Sequence, residues 1–114
     1  MPDDDAKQSL LDATTALRSA EQLLLQASRT MTDPAQLVQV NLEYAHLDSY
    51  LSQILHTLAI SDDDDFDQAA GTLKTQSSTI AADAQAIAKI IKDAATADKV
   101  IGLIAQATAA VAKL

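Results

Sequence analysis

Apolar residues recur at alternating three- and four-residue spacings through most of this chain. That is the period of a helix that buries one side in a bundle. The chain has only two glycines and two prolines in 114 residues, and so few helix breakers favour long helices over strands and turns. The sequence therefore predicts an all-α fold. The first apolar row comprises Leu10, Ala13, Leu17, Ala20, Leu24, Ala27 and Met31.

Acidic residues and a proline mark the expected helix starts. Asp3–Asp5 precede the first row, where carboxylates favour the positive end of the helix dipole. Asp33 and Pro34 have the N-cap and first-turn pattern of a second helix. Ser61 stands three residues before Asp64, a spacing like that of a capping box, and predicts the start of a third helix.

The second and third helices carry apolar rows of the same period. We expect Val38, Ala45 and Leu55 to widen the buried stripe of the second helix. The second row is Leu37, Val40, Tyr44, Leu47, Leu51, Ile54 and Leu58, and the third is Phe66, Ala70, Leu73, Ile80, Ala84, Ile87 and Ile91.

Two predictions compete for the end of the third helix. The apolar phase continues to Val111, as in one unbroken helix, but a helix from Asp62 to Lys113 would be about 75 Å long, against about 40 Å for the first two. We prefer a break near Ala94–Asp98, which gives one domain, residues 1–114, folded as an up-and-down antiparallel four-helix bundle. The alternative is three helices with a long continuous third helix. In that case Ile101, Ile104 and Val111 would be exposed and would bind another chain.

Charge and composition exclude several function classes. The net charge is −8 and the eight Lys and Arg residues form no cluster, so we expect no binding to nucleic acid. Without cysteine there is no disulfide, thiolate metal site or cysteine nucleophile. The longest uncharged stretches have 13 residues, short of the roughly 20 that span a bilayer. The acidic start is unlike a signal peptide, so we expect a cytoplasmic protein, although a secreted mature chain would look the same.

The aspartate run Asp62–Asp65 is the densest charge in the chain. Asp63, Asp65 and Asp67 have the first spacings of a calcium-binding EF-hand loop, but the glycine and glutamate that such a loop needs are absent. We therefore interpret the run as a helix start. In an up-and-down bundle it lies at the same end as Asp3–Asp5, and this acidic pole could dock a basic partner.

Glu43 and His46 have the Glu-x-x-His spacing that supplies two ligands in di-iron carboxylate bundles. A complete site needs two such motifs and two further glutamates, whereas this chain has one motif and only one other glutamate, Glu21. The helical phase also turns His46 away from the core and leaves Glu43 beside the seam. The sequence therefore predicts an exposed polar pair and no metal or cofactor site.

His56-Thr57-Leu58 resembles the His-Thr-Leu of histidine phosphotransfer domains, which are also four-helix bundles. The resemblance covers three residues and implies that His56 would accept the phosphoryl group. The family pattern continues with Lys and Gly, where this chain has Ala59 and Ile60.

The sequence contains no nucleophile elbow and no glycine-rich phosphate loop, so we expect no enzymatic activity. The favoured hypothesis is a small acidic bundle that acts through protein–protein interaction as a monomer or homodimer, using an exposed helix face or Asp62–Asp65. The alternatives are phosphotransfer through His56 and a membrane-active or secretion-accessory role for residues 100–114, which are apolar on most faces.

Overall fold

Four helices joined by short connections make up almost all of the computed structural model, which describes residues 4–114. They are α1 (Asp4–Ser28), α2 (Pro34–Leu58), α3 (Asp63–Ile90) and α4 (Ala94–Ala112). Helices cover 87% of the described residues, which contain no strand. Among those residues α1 packs against α2 and α4, and α3 packs against the same two helices, while the backbones of the diagonal pairs lie farther apart. The predicted four-helix bundle is confirmed, with dimensions of 49 × 21 × 19 Å.

The side chain of an aspartate caps the first turn of two helices, α2 and α3. Asp33 Oδ1 accepts a hydrogen bond from the backbone N–H of Ala35 at 3.0 Å, and Pro34 is the first residue of α2, as predicted. At α3 the cap is Asp62, whose Oδ1 accepts from the N–H of Asp65 at 3.0 Å, so the prediction of Ser61 as the cap is wrong. The α1 prediction is met from Asp4 onward, while Asp3 lies outside the described residues.

The break between α3 and α4 lies at residues 91–93, just before the predicted Ala94–Asp98 segment. Ile91 is extended, and its side chain is buried together with that of Ile90. Asp93 is the N-cap residue of α4, and its Oδ2 accepts from Thr96 Oγ1 at 2.7 Å. This hydrogen bond holds the pKa of Asp93 below its usual value. The chain thus reverses without glycine or proline, and the alternative of a continuous third helix is wrong.

The reversal buries the apolar side of α4 against α1 and α3. Ile104 and Val111 are completely buried, and Ile101 is partly buried against the core. These three residues were expected to contact another chain only if α3 ran on. Because it does not, they stabilise the bundle itself.

The buried face of α2 is rotated toward α3 relative to the prediction. Tyr50, absent from the predicted row, is 2% exposed, and its hydroxyl donates to the carbonyl of Leu73 at 3.0 Å. Burial raises the pKa of Tyr50 to about 12. Val38, Ala45 and Leu55 are exposed, so the expectation that they widen the buried stripe is wrong.

Candidate functional site

The only two glutamates of the chain are both buried, whereas no aspartate among residues 4–114 is. Glu21 is 6% exposed and Glu43 is 9% exposed. Burying a carboxylate costs free energy unless a cation or hydrogen-bond donors compensate it. The surroundings of each glutamate therefore need to supply a cation, a hydrogen-bond donor or a proton.

Glu43 belongs to a three-residue cluster between α2 and α3. His46 Nδ1 lies 3.9 Å from Glu43 Oε2 and 3.6 Å from Asp83 Oδ2. One ligand-type atom from each residue lies within 4.8 Å of the other two. Glu43 and His46 are one turn apart on α2, and Asp83 comes from α3. The sequence predicted that Glu43 and His46 form an exposed pair. That prediction is wrong for Glu43, which is buried, and Asp83 joins the two residues.

One oxygen of each carboxylate in this cluster lacks a hydrogen-bond donor. Glu43 Oε2 and Asp83 Oδ2 are both inaccessible to solvent and without a hydrogen-bond partner. Burial raises the pKa of Glu43, the neighbouring Asp83 raises it further, and His46 partly offsets both. The His46 side chain is 56% exposed, so the cluster connects the interior with solvent.

A surface cavity of about 350 Å³ adjoins this cluster between α2 and α3. His46 and Asp83 form part of its wall, and Gln76 contributes a buried side-chain oxygen, Oε1, that also has no donor. Two residues that line this cavity, Asp83 and Gln76, therefore each carry a buried oxygen without a hydrogen-bond donor.

The second buried glutamate lies between α1 and α2 in a different environment. Burial and the nearby Asp48 raise the pKa of Glu21, while the Tyr44 hydroxyl and Arg18 oppose the rise. Glu21 in turn raises the pKa of Tyr44. This group contains no histidine, and the Arg18 guanidinium supplies a positive charge. It therefore resembles a structural polar contact more than a ligand site.

A second feature is an uncharged row on the outside of α2, here called the outer seam. Its residues alternate at three and four positions, like those of the core seam on the opposite side. All are exposed, none is Asp, Glu, Lys or Arg, and the first four are apolar: Ala35, Val38, Leu42, Ala45, Ser49, Ser52 and His56. Val38 is 59% exposed and Leu42 is 53% exposed.

The exposed large apolar side chains of residues 4–114 all lie on one half of the bundle. None comes from α3 or α4. Val38 and Leu42 belong to the outer seam, whereas Leu11 and Leu25 are single exposed leucines on α1, of the kind common on protein surfaces. The five residues are Leu11 and Leu25 on α1, and Val38, Leu42 and Leu55 on α2.

The residues of the predicted acidic pole Asp62–Asp65 are all exposed at the start of α3. Lys7 Nζ donates to the carbonyl of Leu58 at 3.3 Å, which places the start of α1 beside the end of α2. The beginnings of α1 and α3 therefore share one end of the bundle, and Asp4 and Asp5 lie there with Asp62–Asp65. Docking of a basic partner at this pole stays a prediction.

His56 is exposed near the end of α2, as its helical phase predicted. The next residue, Thr57, is buried, and its hydroxyl donates to the carbonyl of Gln53 at 2.8 Å. Phosphotransfer through His56 remains an untested alternative.

No protein-family model matches the chain, and neither the curated proteins nor the solved structures contain a significant match. Within residues 4–114, none of the helices combines the length and apolar character needed to cross a membrane.

Sequence reasoning missed Asp83 and the outer seam for different reasons. Asp83 is a single acidic residue in an alanine-rich stretch, and only the register of α3 against α2 brings it to Glu43 and His46. The outer seam is a second apolar row in the sequence, but the helical period alone predicts that Val38 and Ala45 widen the core stripe. The exposed side of α2 became evident only from packing.

Proposed function

We propose that this protein is a non-enzymatic interaction module that pairs with a second copy of itself through the outer seam of α2. The observation that carries the proposal is that seam, an uncharged row with helix-pairing spacing on a chain of net charge −8. Helices with such spacing pair by packing one row against another. Ala35 and Ala45 are small, so a second helix can approach closely.

Charge favours a second copy in antiparallel orientation. Two chains of charge −8 repel, and the outer seam is a surface where they can meet without opposing carboxylates. Antiparallel pairing separates the two acidic poles by about 37 Å, the length of a 25-residue helix, which exceeds the Debye length of about 10 Å at 0.1 M salt. Parallel pairing would place the poles side by side.

The available area points to a weak, reversible dimer. A strip about 37 Å long and about 10 Å wide contributes about 370 Å² from each copy, or about 740 Å² in total. This is below the roughly 1,200–2,000 Å² of stable complexes. We therefore expect a weak dimer that dissociates on dilution.

Sedimentation velocity and light scattering from about 2 μM to about 1 mM protein test the pairing. We expect a monomer of 12.0 kDa at the low end and a dimer at the high end. The variant Leu42→Lys should weaken the dimer at least tenfold, because it places a charge in the apolar half of the seam. The matched control is Leu11→Lys, which makes the same change at a leucine of similar exposure, 49%, on α1 and should leave the dimer intact.

Salt distinguishes a second copy from a basic partner. Screening reduces the repulsion between two acidic chains, so raising NaCl from about 50 to about 500 mM should strengthen the dimer. Binding of a basic protein would weaken instead. A chain that stays monomeric at about 1 mM at both salt concentrations, or that loses the dimer equally with Leu11→Lys, would contradict the proposal.

Pairing through the outer seam leaves the acidic poles at the two ends of the dimer. A basic partner that docks at Asp62–Asp65 would then bind twice per dimer. The alternative functions have less support on the same observations. The apolar side of residues 100–114 faces the core, and His56 belongs to the outer seam.

A further inference from the structure

We propose that Glu43, His46 and Asp83 bind a divalent first-row transition-metal ion between α2 and α3, with water completing its coordination. The three side chains provide one imidazole nitrogen and two carboxylate oxygens, and these atoms lie within 4.8 Å of one another. The site is on the edge of α2 that meets α3 and shares no residue with the outer seam. It therefore does not depend on the proposed dimer.

The spacing of the donor atoms is close to what a metal requires. Zinc binds histidine nitrogen and carboxylate oxygen at about 2.0–2.2 Å, so tetrahedral ligands lie about 3.3–3.6 Å apart. The distances from His46 Nδ1 are 3.6 Å to Asp83 Oδ2 and 3.9 Å to Glu43 Oε2. Three protein ligands and a water are also the usual set of an open zinc site.

The independent indication of a ligand is an interior oxygen of Glu43 that has no hydrogen-bond donor. Glu43 is only 9% exposed, and its Oε2 receives no hydrogen bond although it faces the other two ligands. Asp83 Oδ2 is likewise buried and receives no hydrogen bond. Buried carboxylate oxygens are normally paired or bound to a cation. A metal ion would compensate both oxygens at once.

The donor set selects the class of metal. Calcium and magnesium prefer sites made of oxygen ligands, so the imidazole argues against them. The chain has no cysteine, which argues against soft ions that need thiolate. Nitrogen and carboxylate ligands together suit zinc and its first-row neighbours. Zn²⁺ and Co²⁺ are therefore the appropriate probes.

Isothermal titration calorimetry of the EDTA-treated full chain with Zn²⁺ is the first measurement. We expect one site per chain and a rise in melting temperature of about 10 °C when free zinc is 100-fold above the dissociation constant. Co²⁺ should give the visible absorption of a four-coordinate nitrogen–oxygen site. No heat and no thermal shift at about 1 mM zinc would overturn the proposal.

Two pairs of variants separate this site from adventitious binding. His46→Gln should reduce affinity at least tenfold, whereas His56→Gln, which changes the only other histidine, should not. Asp83→Asn should likewise weaken binding, and Asp48→Asn, on the opposite edge of α2, should leave it unchanged. If the paired variants behave alike, the metal binds only adventitiously at surface groups and the proposal fails. Retention of the helical circular dichroism spectrum in each variant shows that the bundle is intact.

Discussion

The substitution Ile104→Ala tests whether α4 folds back into the bundle. Ile104 is completely buried, and alanine removes three of its carbon atoms. At about 0.8 kcal/mol per buried carbon, the lost transfer free energy is about 2.4 kcal/mol. If about 40 Å³ of the vacated space stays empty, the cavity adds about 1 kcal/mol at roughly 24 cal/mol per Å³. The expected loss is therefore about 3.5 kcal/mol.

That loss is large relative to the whole stability of the domain. At about 0.05–0.15 kcal/mol per residue, 114 residues are stabilised by roughly 6–17 kcal/mol. The matched control is Ile101→Ala on the same helix. Ile101 is only partly buried and alanine leaves no closed cavity there, so we expect a loss of about 1 kcal/mol.

Urea unfolding followed by circular dichroism at about 2 μM protein measures both variants, at a concentration where the proposed dimer is dissociated. The expected order is a much lower midpoint for Ile104→Ala than for Ile101→Ala, with equal slopes. Equal losses at the two positions would mean that Ile104 is no more enclosed by the bundle than Ile101 is. That result would refute the packing argument.

Two further predictions concern single polar groups. The pKa of Glu21 is raised, so its contribution to stability is fully present below about pH 4.5 and is lost as pH rises through the folded-state pKa. Glu21→Gln should therefore gain stability relative to the native chain between pH 4 and pH 7 in urea titrations; a constant difference would refute the argument. Asp62→Ala removes the N-cap of α3 and should cost about 1 kcal/mol, whereas Ser61→Ala should change almost nothing. The opposite order would restore Ser61 as the cap.

The candidate sites could be predicted less well than the fold, and the residues show why. Glu43 and His46 are neighbours on one helix, so their spacing is visible in the sequence. Asp83 follows Glu43 by 40 positions in the chain, and no local pattern connects them. The burial of Glu43 depends on how far α2 is rotated toward α3. Tyr50 and Tyr44 both fit the helical period, and packing placed Tyr50 in the core.

The sequence by itself determined the first three helices and their starting residues to within one position, and it favoured the four-helix bundle over a continuous third helix. Helix period and capping are local properties that act over about four residues, so a single chain displays them. Only the tertiary structure decided where α3 ends, which side of α2 stays exposed, and which carboxylates are buried. Those outcomes depend on the fit of side chains from different helices. Small rotations of a helix change such contacts without changing its hydrophobic period.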